Sequence, residues 1–159
     1  MEEKLTHIDE NGRPRMVNVG EKADTHRIAV AKGSIYMQPA TLARIKEGSI
    51  AKGDVLSVAQ TAGIMAAKNT ASNIPMCHNI FITGVDMDFQ LDEEKSAIHI
   101  EASASTIGKT GIEMESLNAV AIAALTIYDM CKAIDRGMRI TDIRLVKKDG
   151  GKSGLFVAE

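Results

Sequence analysis

Asp129 and Lys132 stand three residues apart in a stretch with helical patterning and therefore share one of its faces. A surface ion pair is one reading of that spacing. The other is chemical: the two flank apolar Tyr128 and Cys131, and a partly buried carboxylate and ammonium would hold a proton acceptor beside a donor, with desolvation moving both pKa values. Earlier in the same stretch Glu113 and Glu115 occupy a first helical turn. Carboxylates there interact favourably with the helix dipole by about 0.3–1 kcal/mol. They could equally accept hydrogen bonds from the guanidine-like or amide edge of a heterocycle.

Gly108-Lys109-Thr110-Gly111 resembles the end of a phosphate-binding loop, but that pattern needs glycine five positions before Gly108, where this chain has Ser103. What survives is a glycine-flanked turn whose lysine precedes a helix N-terminus, a place that favours anions. Met76-Cys77-His78 follows Pro75 in a loop. Adjacent side chains on an extended segment point apart, and no second Cys/His group completes a tetrahedral site, so a metal centre is not expected and His78 stays open as a substrate ligand. His7, His26 and His99 read as structural or surface residues. Lys52 precedes one helix start, Lys68 ends that helix, and Lys147, Lys148 and Lys152 cluster in a glycine-rich tail. Singly these are solvated lysines; together they suggest a local polyphosphate pocket.

The chain that carries these groups has 159 residues, enough for one hydrophobic core. Nineteen basic against 21 acidic residues give a net charge of −2, and only two Tyr, three Phe and no Trp accompany nine Met. The core must be aliphatic. A slightly acidic chain with so few rings argues against nucleic-acid binding, which uses basic grooves and aromatic platforms. The acidic start Met1-Glu2-Glu3-Lys4 leads into no apolar run, and the longest uncharged stretch, Asn69 to Val85, contains Asn, Pro, Cys and His. Neither a leader nor a membrane span is expected. Cys77 and Cys131 lack paired spacing, which suits free thiols in a reducing cytoplasm.

Residues 1–26 read as a mostly irregular arm, ordered by packing or assembly, and residues 27–159 as a single catalytic domain. Alternation from Arg27 to Met37 predicts a strand, and Pro39 to about Gly48 a short helix. Asp54 can cap a second helix reaching Lys68, followed by a loop through His78. Phe81 to Leu91 and Ile98 to Ala104 alternate as two strands of an antiparallel hairpin with one wet face. A long helix opens at Gly111 and stops at Gly137; a last strand covers Met138 to Lys148, with a phase change near Asp142 that suits a bulge. This order matches the split β-α-β pattern and predicts an α+β fold, a ferredoxin-like antiparallel sheet with helices packed on one face. The bare sheet face and edges would need covering, most simply by another copy of the chain.

The exact strings narrow this further. Leu5-Thr6-His7-Ile8, Lys52-Gly53-Asp54-Val55, Ile74-Pro75-Met76-Cys77-His78, Thr110-Gly111-Ile112-Glu113-Met114-Glu115, Ala123 through Tyr128-Asp129-Met130-Cys131-Lys132, and Gly150-Gly151-Lys152-Ser153-Gly154 occur in that order. The sequence resembles, over nearly its whole length, the molybdenum cofactor biosynthesis protein C family of cyclic pyranopterin monophosphate synthases. Asn79 and Asn18 stand where the family usually has Pro and Asp. The first alters loop stiffness, and neither removes a side chain assigned to chemistry.

The resemblance implies a lyase in a homohexamer built as a trimer of dimers, with sites at subunit interfaces. It implies that a cyclic dihydro-GTP, made by an upstream radical enzyme, is rearranged to cyclic pyranopterin monophosphate with loss of pyrophosphate. By position, Asp129, Lys52 and Lys132 match the family's catalytic residues. Met76, Cys77 and His78, with Glu113, Met114 and Glu115, match its substrate-binding segments. Lys148 and Lys152, with Arg27 and Lys68, are then expected to grip phosphates. No cofactor is built in, and Mg2+ accompanying the triphosphate is left open. The rival expectation is an oligomeric nucleotide-sensing module without catalysis, which needs the phosphate-binding lysines but no Asp129–Lys132 pair.

Overall fold

A computed structural model describes residues 7–158, so Leu5 and Thr6 of the first string and the acidic start Met1-Glu2-Glu3-Lys4 lie outside the described residues. In chain order the elements are β1 (Thr25–Tyr36), α1 (Pro39–Lys46), α2 (Val55–Lys68), α3 (Thr70–Asn73), β2 (Ile82–Asp92), β3 (Ala97–Gly108), α4 (Glu113–Cys131), β4 (Arg139–Asp149) and β5 (Phe156–Val157). The sheet order is β2-β3-β1-β4-β5 and every neighbouring pair is antiparallel. Strands β1 and β2 are thus separated by β3, and β3 and β4 by β1, which is the split β-α-β arrangement of an α+β, ferredoxin-like fold.

Local chemistry explains the elements. Pro39 opens α1, where its missing N–H costs nothing. The Asp54 carboxylate accepts from the Ser57 amide at 3.1 Å and the Ser57 hydroxyl at 2.6 Å, capping α2. In β1, Ala29, Ala31 and Ile35 are fully buried, and in β3 so are Ile98, Ala102 and Ala104. These small and branched residues form the sheet face on which the helices pack, with Ala119, Val120, Ala123, Ala124 and Ile127 of α4 completing an aliphatic core. Two glycines let the layers close. A Cβ on Gly33 would meet Val120 Cγ1 at 2.7 Å, and one on Gly63 would meet Met87 Sδ at 2.4 Å and the Ala119 carbonyl at 3.0 Å.

Several boundaries differ from the sequence reading. Helix α4 ends at Cys131, six residues before the expected stop at Gly137. The cause is Asp135, buried, whose Oδ2 accepts from the Gln38 amide at 2.8 Å and Thr41 Oγ1 at 3.1 Å, while Oδ1 accepts from the Gly137 amide at 3.1 Å. The start of α1 therefore captures this segment, which serves it as a cap instead of continuing the helix. The expected loop after Lys68 contains α3, held because buried Thr70 donates to the carbonyls of Ala66 and Ala67 and Asn118 reaches Ala66 O at 2.9 Å. The apolar end forms β5 by pairing with Lys147 and Lys148. Asp142 does mark an irregularity: it has φ 60°, and the β1–β4 register shifts between Lys32 and Ser34.

Candidate active site

The start of α4 meets three otherwise separate segments. Residues 76–78 approach it from the loop after α3, the arm crosses in front, and the glycine-rich tail closes the far side. The result is two adjoining cavities that share Lys22, Thr110, Gly111 and Glu113. One, of about 280 Å³, is lined by Met76, Cys77, His78, Glu113, Met114 and Glu115, with Val17 and Val19 from the arm. The other, of about 530 Å³, is lined by Lys22, Thr25, Arg27, Lys109, Lys148 and Lys152. A carboxylate- and sulfur-lined lobe thus opens into a cationic one.

Glu115 is 3% exposed, and its burial, reinforced by the nearby charge of Glu113, pushes its pKa up to about 7 against a weaker opposing backbone hydrogen bond. Near neutral pH it therefore exists in both forms and can donate or accept. Burial also raises the Cys77 thiol, with the Glu115 charge adding to it, so Cys77 is a poor nucleophile here. His78 Nε2 lies 2.6 Å from the Val17 carbonyl and must donate to it, which leaves Nδ1 facing elsewhere. That bond ties the arm to the site.

In the cationic lobe Arg27 donates from Nε to the Gly108 carbonyl at 3.0 Å and from Nη2 to the Lys109 carbonyl at 3.2 Å, holding the turn before α4. Lys109 Nζ in turn donates to the Gly20 carbonyl at 2.5 Å. Lys148 Nζ bridges Glu113 Oε1 at 3.0 Å and Ser153 Oγ at 2.8 Å. The tail can lie against Arg27 because Gly150 and Gly151 carry no side chains: a Cβ on Gly150 would sit 2.2 Å from the His26 carbonyl, and one on Gly151 would sit 2.1 Å from Arg27 Nη1. Both also have positive φ, 98° and 76°.

The remaining expected residues lie elsewhere. Lys52 Nζ donates to Asp129 Oδ2 and to its backbone carbonyl, each at 2.8 Å, and Lys132 Nζ lies 2.7 Å from Asp129 Oδ1. The Asp129 pKa falls to about 2, chiefly through the hydrogen bond from Lys132 and then that from Lys52, while Asp129 raises that of Lys132. Desolvation would push both the other way, so of the two readings of this spacing the structure favours the surface ion pair: the trio is about half exposed and is an ion cluster made by contact. Asp129 also stands fourteen residues beyond Glu115 on α4, about 21 Å of helical rise. Within one chain the trio and the cleft are therefore at opposite ends of the helix. Lys68 ends α2 and does not line the cationic lobe.

Sequence reasoning recognised the arm but assigned none of its residues before Arg27 to the site. Val17, Val19 and Lys22 line the cleft, and no periodicity marks them, because their position follows from the long-range bonds to His78 and Lys109. Among the described residues no three His, Cys, Asp or Glu side chains gather in a way that could hold a metal ion. Nor is any described helix long and apolar enough to cross a membrane.

Comparison with known proteins agrees with these strings. The chain is 67% identical over 155 residues to the cyclic pyranopterin monophosphate synthase of Thermoanaerobacter pseudethanolicus, covering 98% of each chain. It is 64% identical over 156 residues to the enzyme of the same name from Clostridium acetobutylicum, covering 98% of this chain and 97% of that one. Among solved structures, a point mutant of the ferredoxin protease FusC in complex with Arabidopsis ferredoxin matches at TM-score 0.32 and 13% identity, over 65% of this chain and 10% of that one, which carries no argument. The model of the MoaC family matches residues 16–151, a span holding most of the residues that line the cleft and the Lys52–Asp129–Lys132 cluster, and the chain belongs to that family.

Proposed function

We propose that the protein is a cyclic pyranopterin monophosphate synthase of molybdenum cofactor biosynthesis, a lyase that converts 3',8-cyclo-7,8-dihydro-GTP to cyclic pyranopterin monophosphate with release of pyrophosphate. The observation that carries this reading is the polarity of the cleft: Glu113, Glu115 and His78 at one end, Arg27, Lys148 and Lys152 at the other. Such a cavity suits a ligand with a hydrogen-bonding heterocycle at one end and a phosphate chain at the other. The shared name of relatives that match over almost the full chain supports the same reading.

In this reading Met76, Cys77 and His78 seat the base with Glu113, Met114 and Glu115, and a Glu115 that titrates near pH 7 matches either a donor or an acceptor on the ring. Ammonium and guanidinium groups neutralise charge that builds on the departing pyrophosphate. Lys68 joins them from a second copy. No metal needs to be built in, and Mg2+ arrives, if at all, with the triphosphate. Asp129, Lys52 and Lys132 move protons during ring opening and closure. Because that trio is about 21 Å along α4 from Glu115, a second copy delivers it to the cleft, in a homohexamer arranged as a trimer of dimers. The substrate comes from an upstream radical enzyme, and the compartment is the cytoplasm, which suits the free thiols of Cys77 and Cys131.

The deciding experiment supplies the cyclic dihydro-GTP to the pure protein. Appearance of pyrophosphate together with the pterin supports the reading; binding without either product would instead leave a nucleotide-sensing module.

A further inference from the structure

Resting on that synthase reading, we propose that Thr25 is a substrate-binding residue of the cationic lobe, its side-chain hydroxyl donating to an oxygen of the substrate's phosphate chain. Thr25 is the first residue of β1 and pairs with Gly108. Being two residues from Arg27, it projects from the same face of the strand. Both residues line the cavity of about 530 Å³.

Several polar groups around that cavity are committed. Arg27 serves the carbonyls of Gly108 and Lys109, Lys109 serves that of Gly20, and Lys148 holds Glu113 and Ser153. Thr25 differs. Its Oγ1 is buried and has no hydrogen-bond partner in the protein. Among the described residues only one other buried side-chain oxygen shares that condition, Ser96 Oγ, which lies in the turn between β2 and β3, away from the cleft.

An unpartnered buried hydroxyl destabilises the free protein, because it has given up water without replacing it. A valine of the same shape would avoid that loss, so the hydroxyl needs a reason outside the free chain. Phosphate oxygens supply one: the lobe's cations draw an anion to within reach, and an O–H donated to an anionic oxygen is stronger than one to a neutral acceptor. Threonine has three staggered χ1 wells, and one step between them exchanges the hydroxyl with the methyl or hydrogen position beside it. Thr25 thus acts as a neutral donor among cations. It adds direction where ammonium groups supply mainly charge.

The test compares the full-length protein with Thr25→Val and Thr25→Ser. Inorganic pyrophosphate is titrated by calorimetry, Tm is measured, and kcat and KM are determined with the cyclic dihydro-GTP. Thr25→Val is expected to weaken pyrophosphate binding and raise KM by about tenfold, the size of one hydrogen bond to an anion. Its Tm should equal or exceed that of wild type, and Thr25→Ser should restore the affinity. A merely structural threonine would move Tm and leave pyrophosphate affinity alone. Wild-type affinity in Thr25→Val, loss of affinity that tracks a lowered Tm, or a wild-type protein that does not bind pyrophosphate would each overturn the assignment. A wild type that binds pyrophosphate but turns over no substrate would sink the synthase reading, while the Thr25→Val titration would still decide this one.

Discussion

Lys148 Nζ lies 3.0 Å from Glu113 Oε1, so one ammonium joins the first turn of α4 to the strand that leads into the glycine-rich tail. The pair sits where the two lobes of the cleft meet, since Glu113 lines both and Lys148 the cationic one. It couples the position of the acidic lobe to the charge of the basic one.

Replacing that ammonium separates binding from folding. Both side chains are only about a quarter exposed, so the attraction within the ion pair is largely offset by the cost of desolvating its two charges. A charge-assisted contact to phosphate is worth about 1.5–3 kcal/mol. Lys148→Met is therefore expected to raise KM by about ten- to a hundredfold with only a small change in denaturant midpoint, measured by steady-state pyrophosphate release and urea unfolding.

Glu115 makes stability fall as pH rises. Its folded pKa, about 7, lies above the ordinary 4.5, so the native state holds the proton more tightly than the unfolded chain. The associated stability is complete below about pH 4.5 and is lost as pH climbs through 7. Its ceiling is about 3 kcal/mol, from the size of the shift. Glu115→Gln should remove this slope, and urea unfolding between pH 4.5 and 8 would show a flat profile where wild type declines. Equal slopes in both proteins would contradict the assignment.

Asp129 works in the opposite sense. With a pKa near 2, below the ordinary 3.8, it contributes stability that is present above about pH 4 and is lost as pH falls through 2. Melting curves of Asp129→Asn and wild type should therefore differ slightly at pH 7 and converge toward pH 2. Over the same series, the synthase reading expects turnover at pH 7 to be abolished in the variant, because an amide cannot accept a proton as a carboxylate would.

Interface complementation tests where the site is completed. Asp129→Asn and Glu115→Gln should each be inactive alone. If one copy supplies the Lys52–Asp129–Lys132 cluster to the cleft of another, mixing unfolded chains of the two variants and refolding them should regain about a quarter of wild-type activity, since one random pairing in four unites two intact halves. No recovery would place both halves of the site in a single chain.

Gly150→Ala probes the tail. An added Cβ would meet the His26 carbonyl at 2.2 Å, and the residue has φ 98°, so backbone must move. A loss of about 1–3 kcal/mol is expected in urea unfolding, together with a raised KM, because the same movement shifts Lys152 relative to Arg27.

Much of this molecule was legible along the chain. The alternation of residues 81–91 and 98–104 and the apolar stripes of α2 and α4 are local patterns, and with those of β1 and β4 they sufficed for the split β-α-β topology, though not for the short α3 and β5. The grouping of Met76, Cys77 and His78 with Glu113 and Glu115 was also legible, through strings that resemble a known family. Other features depend on contacts between distant residues. Helix α4 stops at Cys131 because Asp135 is captured by Gln38 and Thr41, nearly a hundred positions earlier. The arm joins the site through Val17 with His78 and Gly20 with Lys109, where backbone carbonyls of any residue type would serve.

Electrostatic environment was the least legible of all. From residue type alone, Glu115 and Asp129 are two carboxylates on one helix. The fold buries the first and places two ammonium groups against the second, which drives their pKa values in opposite directions. Sequence by itself determined which groups exist and which helix carries them, since periodicity and spacing are properties of neighbours in the chain. Only the tertiary structure decided which carboxylate keeps its proton and which segments close around the start of α4, because burial and ion pairing arise from residues that the chain brings together by folding.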